Sequence, residues 1–341
     1  MTLKACGVMI GALIGLAAIS GPARADDFYS GKTIRFSVGA SAAGGFTLVA
    51  RVMAQHLKNH IPGHPTMLIE AKPGAGGAKS MDYVLNAASK DGTNIGAVLP
   101  PAVVAPLLRK LRYDSTQAQW IGSVTPMTEV SSVWHTAPAK TLEQAKKIQL
   151  VMATSSKLSS AYLIPAFLNA AIGTKFKMVQ GYRGGGPMNK AMITGEVNGR
   201  GSFFNSYRTT KPDWLRDKKV IHLLQVGPTI KDIADVPNLR DVVKTDEQRR
   251  IVKFLEVSAQ IGHGFYVAAG VPADRVRILR DAFVATMNDP AFQADAKKRR
   301  ISVDPVAAAH MQQVVATAFA TPKPLLAKFK KMVKLGKPKK K

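Results

Sequence analysis

The sequence predicts an α/β fold with two lobes, and three observations lead to that prediction. Short apolar runs alternate with longer segments of helical period, a pattern typical of parallel sheets covered by helices. The chain has 341 residues, more than one hydrophobic core usually supports. Several predicted strands are followed by turns of small residues and then by predicted helices. In open α/β sheets such turns form the edge at which ligands bind.

The first 25 residues are interpreted as an export signal. Lys4 supplies a positive charge, residues 8–19 form a short apolar run, and Ala23-Arg24-Ala25 has the small-x-small pattern of a cleavage site. An uncleaved membrane anchor is the alternative, but the run is shorter than the roughly 20 apolar residues that span a bilayer. We therefore expect cleavage near Ala25, a mature chain that starts near Asp26, and an exported, soluble protein.

Cysteine content and charge narrow the class of protein. Cys6, the only cysteine, lies in the predicted signal, so the mature chain has no disulfide, no cysteine nucleophile and no thiolate metal site. The formal net charge of +26 favours anionic partners. Basic residues are widely spread except in Lys328–Lys341, which we interpret as a frayed, solvated end and not as a nucleic-acid-binding arm.

Apolar alternation and helix signals place the elements in order along the chain. The predicted strands are Thr33–Val38, Thr66–Glu70, Thr93–Leu99, Gln149–Ala153, Phe176–Val179, Val220–Val226 and Phe265–Ala268. The predicted helices are Phe46–Asn59, Ala78–Ala88, Ser159–Ala171, Pro187–Thr194, Ala273–Asn288 and Pro305–Ala320. Asp289-Pro290 is predicted to end one helix and start the next, because proline suits a first helical turn and disfavours helix just before it.

Two successive strand–turn–helix units contain glycine turns that could hold an anion. The first turn is Gly39–Gly45 and the second is Pro73–Gly77. N–H groups at a helix start have no helical acceptor, the helix dipole adds partial positive charge, and glycine lets a ligand approach the backbone. One such turn is common in α/β folds. Two in sequential units would lie side by side at the carboxyl edge of a parallel sheet, which predicts an anion site there.

Two more turns are candidates for the same site. Ser155, Ser156 and Ser159 lie between a predicted strand and helix, where they could contact a ligand or simply cap the helix. Gly181–Gly186 is a further glycine turn, and its Arg183 could form a fork to a carboxylate. A solvated loop arginine is the alternative interpretation of Arg183.

A set of segments in this order resembles the tripartite tricarboxylate transporter receptor family, also called Bug-type periplasmic receptors. They are Phe28–Ile34, Gly44–Arg51, Ile61–Thr66, Pro73–Gly77, Lys90–Gly96, Gly195–Val197, Lys211–Leu215 and Gly270–Val276. The resemblance covers essentially the whole mature chain. It implies the type II periplasmic binding protein fold, in which two α/β lobes are joined by a hinge of two crossover segments. On that pattern lobe one is 26–125 plus 242–341, and lobe two is 126–241.

The resemblance also implies the function and the site. It implies a non-catalytic receptor, monomeric and without cofactor, metal or nucleic acid, that closes on a small carboxylate and delivers it to a membrane permease. The implied ligand-binding residues in lobe one are Ala43, Gly44, Gly45, Phe46, Thr47, Gly74, Ala75, Gly76 and Gly77. Those implied in lobe two are Ser155, Ser156, Ser159, Tyr182, Arg183, Gly184, Gly185, Phe203 and Asn205.

Two positions depart from the family pattern. Thr47 and Asn198 stand where many members have aspartate. Both changes remove a negative charge near the expected cleft, so we expect either a more anionic ligand or an altered polar end of the site.

Two other classes of function are weighed against the receptor. An exported α/β hydrolytic enzyme lacks support, because there is no Gly-x-Ser-x-Gly elbow and no convincing pair of catalytic carboxylates. His56, His60 and His64 have a spacing that could hold zinc, but Pro62-Gly63 should end the helix before His64, so a solvated helix face is the preferred interpretation. The third class is a cationic surface interaction protein that acts through its lysine-rich end.

Overall fold

The computed structural model describes residues 28–336, so the predicted signal and the last five lysine-rich residues lie outside the described part. Within these residues no helix combines the length and the apolar character needed to cross a membrane. The strands are β1 (Thr33–Val38), β2 (Thr66–Ala71), β3 (Asn94–Ala97), β4 (Ala118–Ser123), β5 (Glu129–Trp134), β6 (Leu150–Thr154), β7 (Phe176–Gln180), β8 (Gly199–Phe203), β9 (Val220–Val226), β10 (Gly264–Ala268) and β11 (Val306–Ala307).

The helices lie between these strands and after them. They are α1 (Gly45–Leu57), α2 (Ala78–Asp82), α3 (Pro101–Leu108), α4 (Leu142–Lys147), α5 (Ser160–Ile172), α6 (Gly185–Ile193), α7 (Phe204–Thr210), α8 (Pro212–Arg216), α9 (Leu239–Val242), α10 (Asp246–Ile261), α11 (Ala273–Asn288), α12 (Pro290–Lys298), α13 (Ala308–Phe319) and α14 (Lys323–Met332). A π-helical turn at Tyr83–Ala87 extends α2.

The strands form two mixed sheets. The first has six strands in the order β11-β4-β10-β3-β1-β2, and the second has five in the order β7-β6-β8-β5-β9. β1 runs parallel to β2 and β3, and β6 runs parallel to β7 and β8, as the strand–turn–helix units require. β10 pairs antiparallel with β3 and β4, and β5 pairs antiparallel with β8 and β9. The parallel pairings predicted from the pattern are therefore present, and antiparallel strands complete both sheets.

All seven predicted strands are present, but four further strands were not predicted. β4, β5 and β8 contain serine, glycine and other polar residues and show little apolar alternation, and β11 has only two residues. The helix predicted from Pro305 begins instead at Ala308, because Val306–Ala307 pairs with β4. The break at Asp289-Pro290 is confirmed: Asp289 caps α12 through Ala291 N, and Pro290 is its first residue.

The largest apolar core contains residues from both sheets. Trp120 and Tyr266 come from the six-stranded sheet, Leu150 and Met152 come from the five-stranded sheet, and Phe329 comes from α14. A second core packs Phe36 and Phe265 of the six-stranded sheet beneath α1 and α11. The two sheets are therefore joined on one side by a continuous apolar layer.

The lysine-rich end is partly a packed helix, which corrects its interpretation as a frayed, solvated end. Phe329 of α14 is 1% exposed, and its ring lies 6.2 Å from Phe167 of α5 and 5.7 Å from Phe254 of α10. Val333 is also buried. Lysines alternate with these apolar residues on the outer face, and Lys328 Nζ pairs with Glu247 Oε2 at 2.5 Å.

Two of the three histidines of the possible zinc pattern contact carboxylates of α12 and its N-cap residue instead. His56 Nε2 lies 3.3 Å from Asp295 Oδ2, and His60 Nε2 lies 3.0 Å from Asp289 Oδ2. His56 is 8% exposed, so the interpretation as a solvated helix face is wrong for this residue. α1 ends at Leu57 and a short 3₁₀ turn follows, which confirms that the helix stops before His64.

The packing of α14 predicts a large effect of removing one aromatic ring. Phe329→Ala should lower the free energy of unfolding by about 3 to 5 kcal/mol, because it empties a site between two other rings. Urea titration followed by circular dichroism measures this change. Lys331→Ala on the exposed face of the same helix should change it by less than about 0.5 kcal/mol, and equal effects of the two substitutions would contradict the packed helix.

Candidate ligand-binding cleft

A cavity of about 580 Å³ lies where turns of the two sheets meet. All but three of the eighteen predicted site residues line it. Those that do are Ala43, Gly44, Gly45, Phe46, Gly74, Ala75, Gly76, Gly77, Ser155, Ser159, Tyr182, Arg183, Gly184, Gly185 and Phe203. Thr47, Ser156 and Asn205 do not line it. The predicted turns are thus brought together around one space.

The first glycine turn joins β1 to α1 and leaves the start of α1 open to the cavity. Gly44 is the N-cap residue, no side chain caps the helix, and its first turn has no acidic residue. N–H groups of a first helical turn have no helical acceptor. Thr47 is fully buried, and its Oγ1 donates to the carbonyl of Ser41 at 2.9 Å, so its side chain stabilises the turn instead of facing the cavity.

The second glycine turn joins β2 to α2 through three glycines with positive φ. These are Gly74 (φ 138°), Gly76 (φ 66°) and Gly77 (φ 94°), and Gly77 N donates to Gly74 O at 3.0 Å. Residues with a Cβ rarely adopt these values, so this turn needs glycine for its backbone path. β1 and β2 are adjacent and parallel, which places both turns at the same edge of the six-stranded sheet.

Turns of the two sheets approach each other so closely that side chains would separate them. A Cβ at Gly45 would lie 3.0 Å from Ser206 Oγ and 3.2 Å from Ser206 Cα. A Cβ at Gly184 would lie 2.9 Å from Ser41 Oγ, and one at Gly76 would lie 3.4 Å from the carbonyl of Leu158. The missing Cβ atoms therefore allow the two sides of the cavity to meet.

The serines between β6 and α5 divide between ligand-facing and structural positions. Ser155 and Ser159 line the cavity. Ser156 does not, because its Oγ accepts from Leu158 N at 3.3 Å. Ser159 Oγ donates to Ser156 O at 2.7 Å and leaves the first turn of α5 without a side-chain cap. The interpretation of these serines as helix caps is therefore wrong, because their described hydrogen bonds stay within the turn.

The turn between β7 and α6 contributes both backbone and side chains. Gly184 has φ 103° and is the N-cap residue of α6, which has no side-chain cap and no acidic residue in its first turn. Tyr182 lines the cavity with its ring, while its hydroxyl donates to Glu196 Oε1 at 2.5 Å. Arg183 is an exposed side chain at the rim.

Of the last two predicted site residues, Phe203 faces the cavity and Asn205 does not. Phe203 lines the cavity, with its ring 5.3 Å from Phe46 in an edge-to-face arrangement. Asn205 is buried in α7 behind it.

Asn198 precedes β8, and its Oδ1 accepts from Val151 N at 2.8 Å. The expectation that Asn198 changes the charge of the cleft is therefore wrong, because this side chain joins two strands and does not line the cavity.

The charge of the cavity wall is uniformly positive. Arg183, Lys190, Arg200 and Lys211 line it, and none of the described lining residues is Asp or Glu. Arg200 was missed in the sequence, because Gly-Arg-Gly at the start of β8 is typical of a loop. The remaining wall is largely apolar and includes Leu99. Such a space can accommodate a carbon skeleton with one or more negative groups.

One acidic side chain lies close to the wall in a neutral state. Glu129 begins β5, is 3% exposed, and shares a hydrogen bond with Ser160, a lining residue. Burial raises the pKa of Glu129 to about 8 despite this hydrogen bond. The carboxyl is therefore mostly protonated at pH 7 and does not oppose an anion in the cavity. Among residues 28–336 no group of three potential metal ligands occurs.

Solved structures identify the fold. The chain is similar to the periplasmic binding protein BugD, with 20% identity and a TM-score of 0.72, over 91% of this chain and 100% of BugD. It is similar to MatC from Rhodopseudomonas palustris with bound malate, with 18% identity and a TM-score of 0.67, over 89% of this chain and 99% of MatC. The fold is therefore that of two-lobed periplasmic binding proteins, as predicted.

The sequence itself identifies the family. Residues 49–330 match the family model described as tripartite tricarboxylate transporter family receptor. The chain therefore belongs to this family of periplasmic solute receptors. No curated protein matches the sequence.

The buried carboxyl of Glu129 predicts a pH dependence of stability. Its pKa is higher in the folded than in the unfolded chain, so its contribution is complete below about pH 4.5 and is lost as the pH rises to about 8. Between these two pH values each unit of rising pH lowers the free energy of unfolding by about 1.4 kcal/mol, because Glu129 is deprotonated in the unfolded chain and still protonated in the folded one. Glu129→Gln should remove this decline, as measured by urea unfolding at pH 5 and pH 8. An equal pH dependence in wild type and variant would contradict a buried neutral Glu129.

Proposed function

We propose that the protein captures a small organic carboxylate in the cavity and delivers it to the membrane permease of a tripartite tricarboxylate transporter. Backbone N–H groups of the turns 39–45 and 73–77 would hold a carboxylate on one side. Ser155, Ser159 and the turn at 181–186 would complete the site from the other side. In this mechanism the ligand binds an open form, and closure of the two sides adds the remaining hydrogen bonds.

The observation that carries the proposal is the cavity wall, which combines uncapped helix starts with basic side chains and contains no acidic residue. An anion placed there replaces its water shell with fixed N–H dipoles. Each hydrogen bond from an N–H group to a charged carboxylate contributes roughly 1.5 to 3 kcal/mol. A few such bonds, less the cost of ordering the ligand, correspond to micromolar affinity, about −8 kcal/mol. Malate bound to MatC is a ligand of this chemical type.

Closure requires two lobes and a hinge. We assign lobe one to residues 26–125 plus 242–341 and lobe two to residues 126–241. Every strand of the six-stranded sheet falls in the first set and every strand of the five-stranded sheet falls in the second, which supports the division. The connections between the sheets bind each other: Val124 N donates to His263 O, and His263 N donates to Thr125 O, both at 3.1 Å. We propose as the hinge the crossover at 124–128 together with the return connection 227–263, which contains the division at 242 and to which the crossover is bonded.

We propose that the receptor reaches the periplasm through cleavage of its signal near Ala25 and acts as a monomer. We also propose that it releases the ligand chemically unchanged. The wall residues support binding over catalysis, since they combine N–H donors, hydroxyls and cations with apolar carbon and contain no acid/base pair of carboxylates.

Isothermal titration calorimetry against carboxylates tests the proposed function. Mono-, di- and tricarboxylates and aromatic acids are titrated into protein that has been unfolded, dialysed and refolded to remove bound ligand. At least one should bind with one-to-one stoichiometry and a dissociation constant near or below about 10 µM. The bound compound should be recovered intact by mass spectrometry. Failure of every carboxylate to bind would reject the proposal.

Gly45 provides a test of closure that leaves the carboxylate donors in place. Gly45→Ala should weaken ligand affinity at least about tenfold, because its Cβ would press on Ser206 Cα at 3.2 Å and hold the two sides apart. Alanine is a better helix former than glycine, so stability should not fall. The same substitution at Gly336, which has open space around it, should leave affinity unchanged. Unaltered affinity in Gly45→Ala would contradict closure at this contact.

A further inference from the structure

Arg200 is a buried cation without a partner inside the described part of the protein. It lies in β8, paired with Ser132 of β5 and Ala153 of β6, in the interior of the five-stranded sheet. The residue is 6% exposed. Its Nε has no hydrogen-bond acceptor, and it takes part in none of the ion pairs found in residues 28–336. The guanidinium lies over the ring of Tyr207, with its carbon 5.0 Å from the ring centroid.

An unpaired charge in such a position is destabilising, because the guanidinium has lost most of its water and gained no carboxylate. The aromatic face of Tyr207 offsets only part of this loss. Arg200 nevertheless lines the cavity. The geometry therefore leaves one side from which an anion can reach the guanidinium, and that side is the ligand space.

The start of α6 lies beside the same guanidinium. A Cβ at Gly185 would lie 3.2 Å from Arg200 Nη1, so the guanidinium packs against the first residue of this nine-residue helix. The helix has no side-chain cap and no acidic residue in its first turn. The N–H groups of Gly185 and Gly186 are therefore two free donors of this helix start, beside the guanidinium of Arg200. Pro187, the third residue of the helix, has no N–H. Helix start and guanidinium together form a subsite for two oxygens of one anionic group.

We propose that Arg200 and the start of α6 bind a second anionic group of the ligand, so that the receptor selects dianions. The first carboxylate would lie on the glycine turns at 39–45 and 73–77, and this inference rests on the function proposed above. The apolar part of the cavity wall includes Phe46, Leu99 and Met188. The ligand class is therefore an organic dicarboxylate with an apolar spacer, and Arg200 is the residue that distinguishes it from a monocarboxylate.

Matched ligand pairs test the selectivity by calorimetry. Each pair has the same carbon skeleton with two carboxylates or one: suberate and octanoate, adipate and hexanoate, terephthalate and benzoate. For the wild type, the best dicarboxylate should bind about 100-fold more tightly than its monocarboxylate partner, because only the former occupies the guanidinium fork. Equal affinities within every pair would overturn the proposal.

Substitutions then assign the selectivity to Arg200. Arg200→Met removes the charge at similar volume and should lower dicarboxylate affinity about 100-fold while changing monocarboxylate affinity less than threefold. Arg200→Lys keeps the charge without the fork and should recover part of the dicarboxylate affinity. Arg216→Met removes an exposed arginine outside the cavity, paired with its neighbour Asp217, and should leave both affinities within twofold. A loss of both ligand types by the same factor in Arg200→Met would contradict a role in reading the second group.

Unfolding without ligand separates this role from a structural one. The urea midpoint of Arg200→Met should equal or exceed that of the wild type, because an unpaired buried cation is replaced by an apolar side chain. A clearly lower midpoint would show that Arg200 stabilises the fold and would overturn the proposal. Monocarboxylate binding without discrimination would reject the Arg200 subsite and leave the proposed function intact. Absence of binding by every compound would reject both.

Discussion

Backbone N–H groups at helix starts, which have no acceptor within their own helix, determine what the cavity can bind. Ten of the fourteen helices described in residues 28–336 start without a side-chain cap, and those of α1, α5 and α6 start at the cavity. Helix starts are normally satisfied by serine, threonine or aspartate side chains, and each missing cap lowers stability by about 1 kcal/mol. Three such starts around one cavity are consistent with a ligand that supplies the missing acceptors.

Glycine serves two separate physical purposes around this cavity. Gly74, Gly76 and Gly77 have positive φ and allow the backbone to turn its N–H groups toward one edge of the sheet. Gly45 lies in a helix with ordinary backbone angles, and there the missing Cβ leaves room for Ser206 on the opposite side. A positive φ is a requirement of the turn itself. A missing Cβ matters only because a residue far away in the sequence lies close in space.

Local patterns predicted the parallel core of both sheets and most of the cavity wall, because strand, turn and helix in those units are consecutive in the chain. They did not predict β5 or β8, whose serine and glycine residues become strands only by pairing with distant partners. Arg200 was missed for the same reason. Thr47 and Ser156 lie in the predicted turns, but their hydroxyls bind the backbone of those turns. Which atom of a turn faces a ligand depends on contacts that sequence spacing does not encode.

The apolar layer shared by the two sheets determines how the halves can move. Phe329 rests on Phe167 and Phe254, and Trp120 and Leu150 belong to the same core. Sliding the sheets apart would expose this layer to water, whereas a rotation at the crossover near Val124 changes the angle between the sheets and leaves more of the layer buried. The cost of exposing apolar surface to water therefore favours a change of angle between the two sheets over their separation.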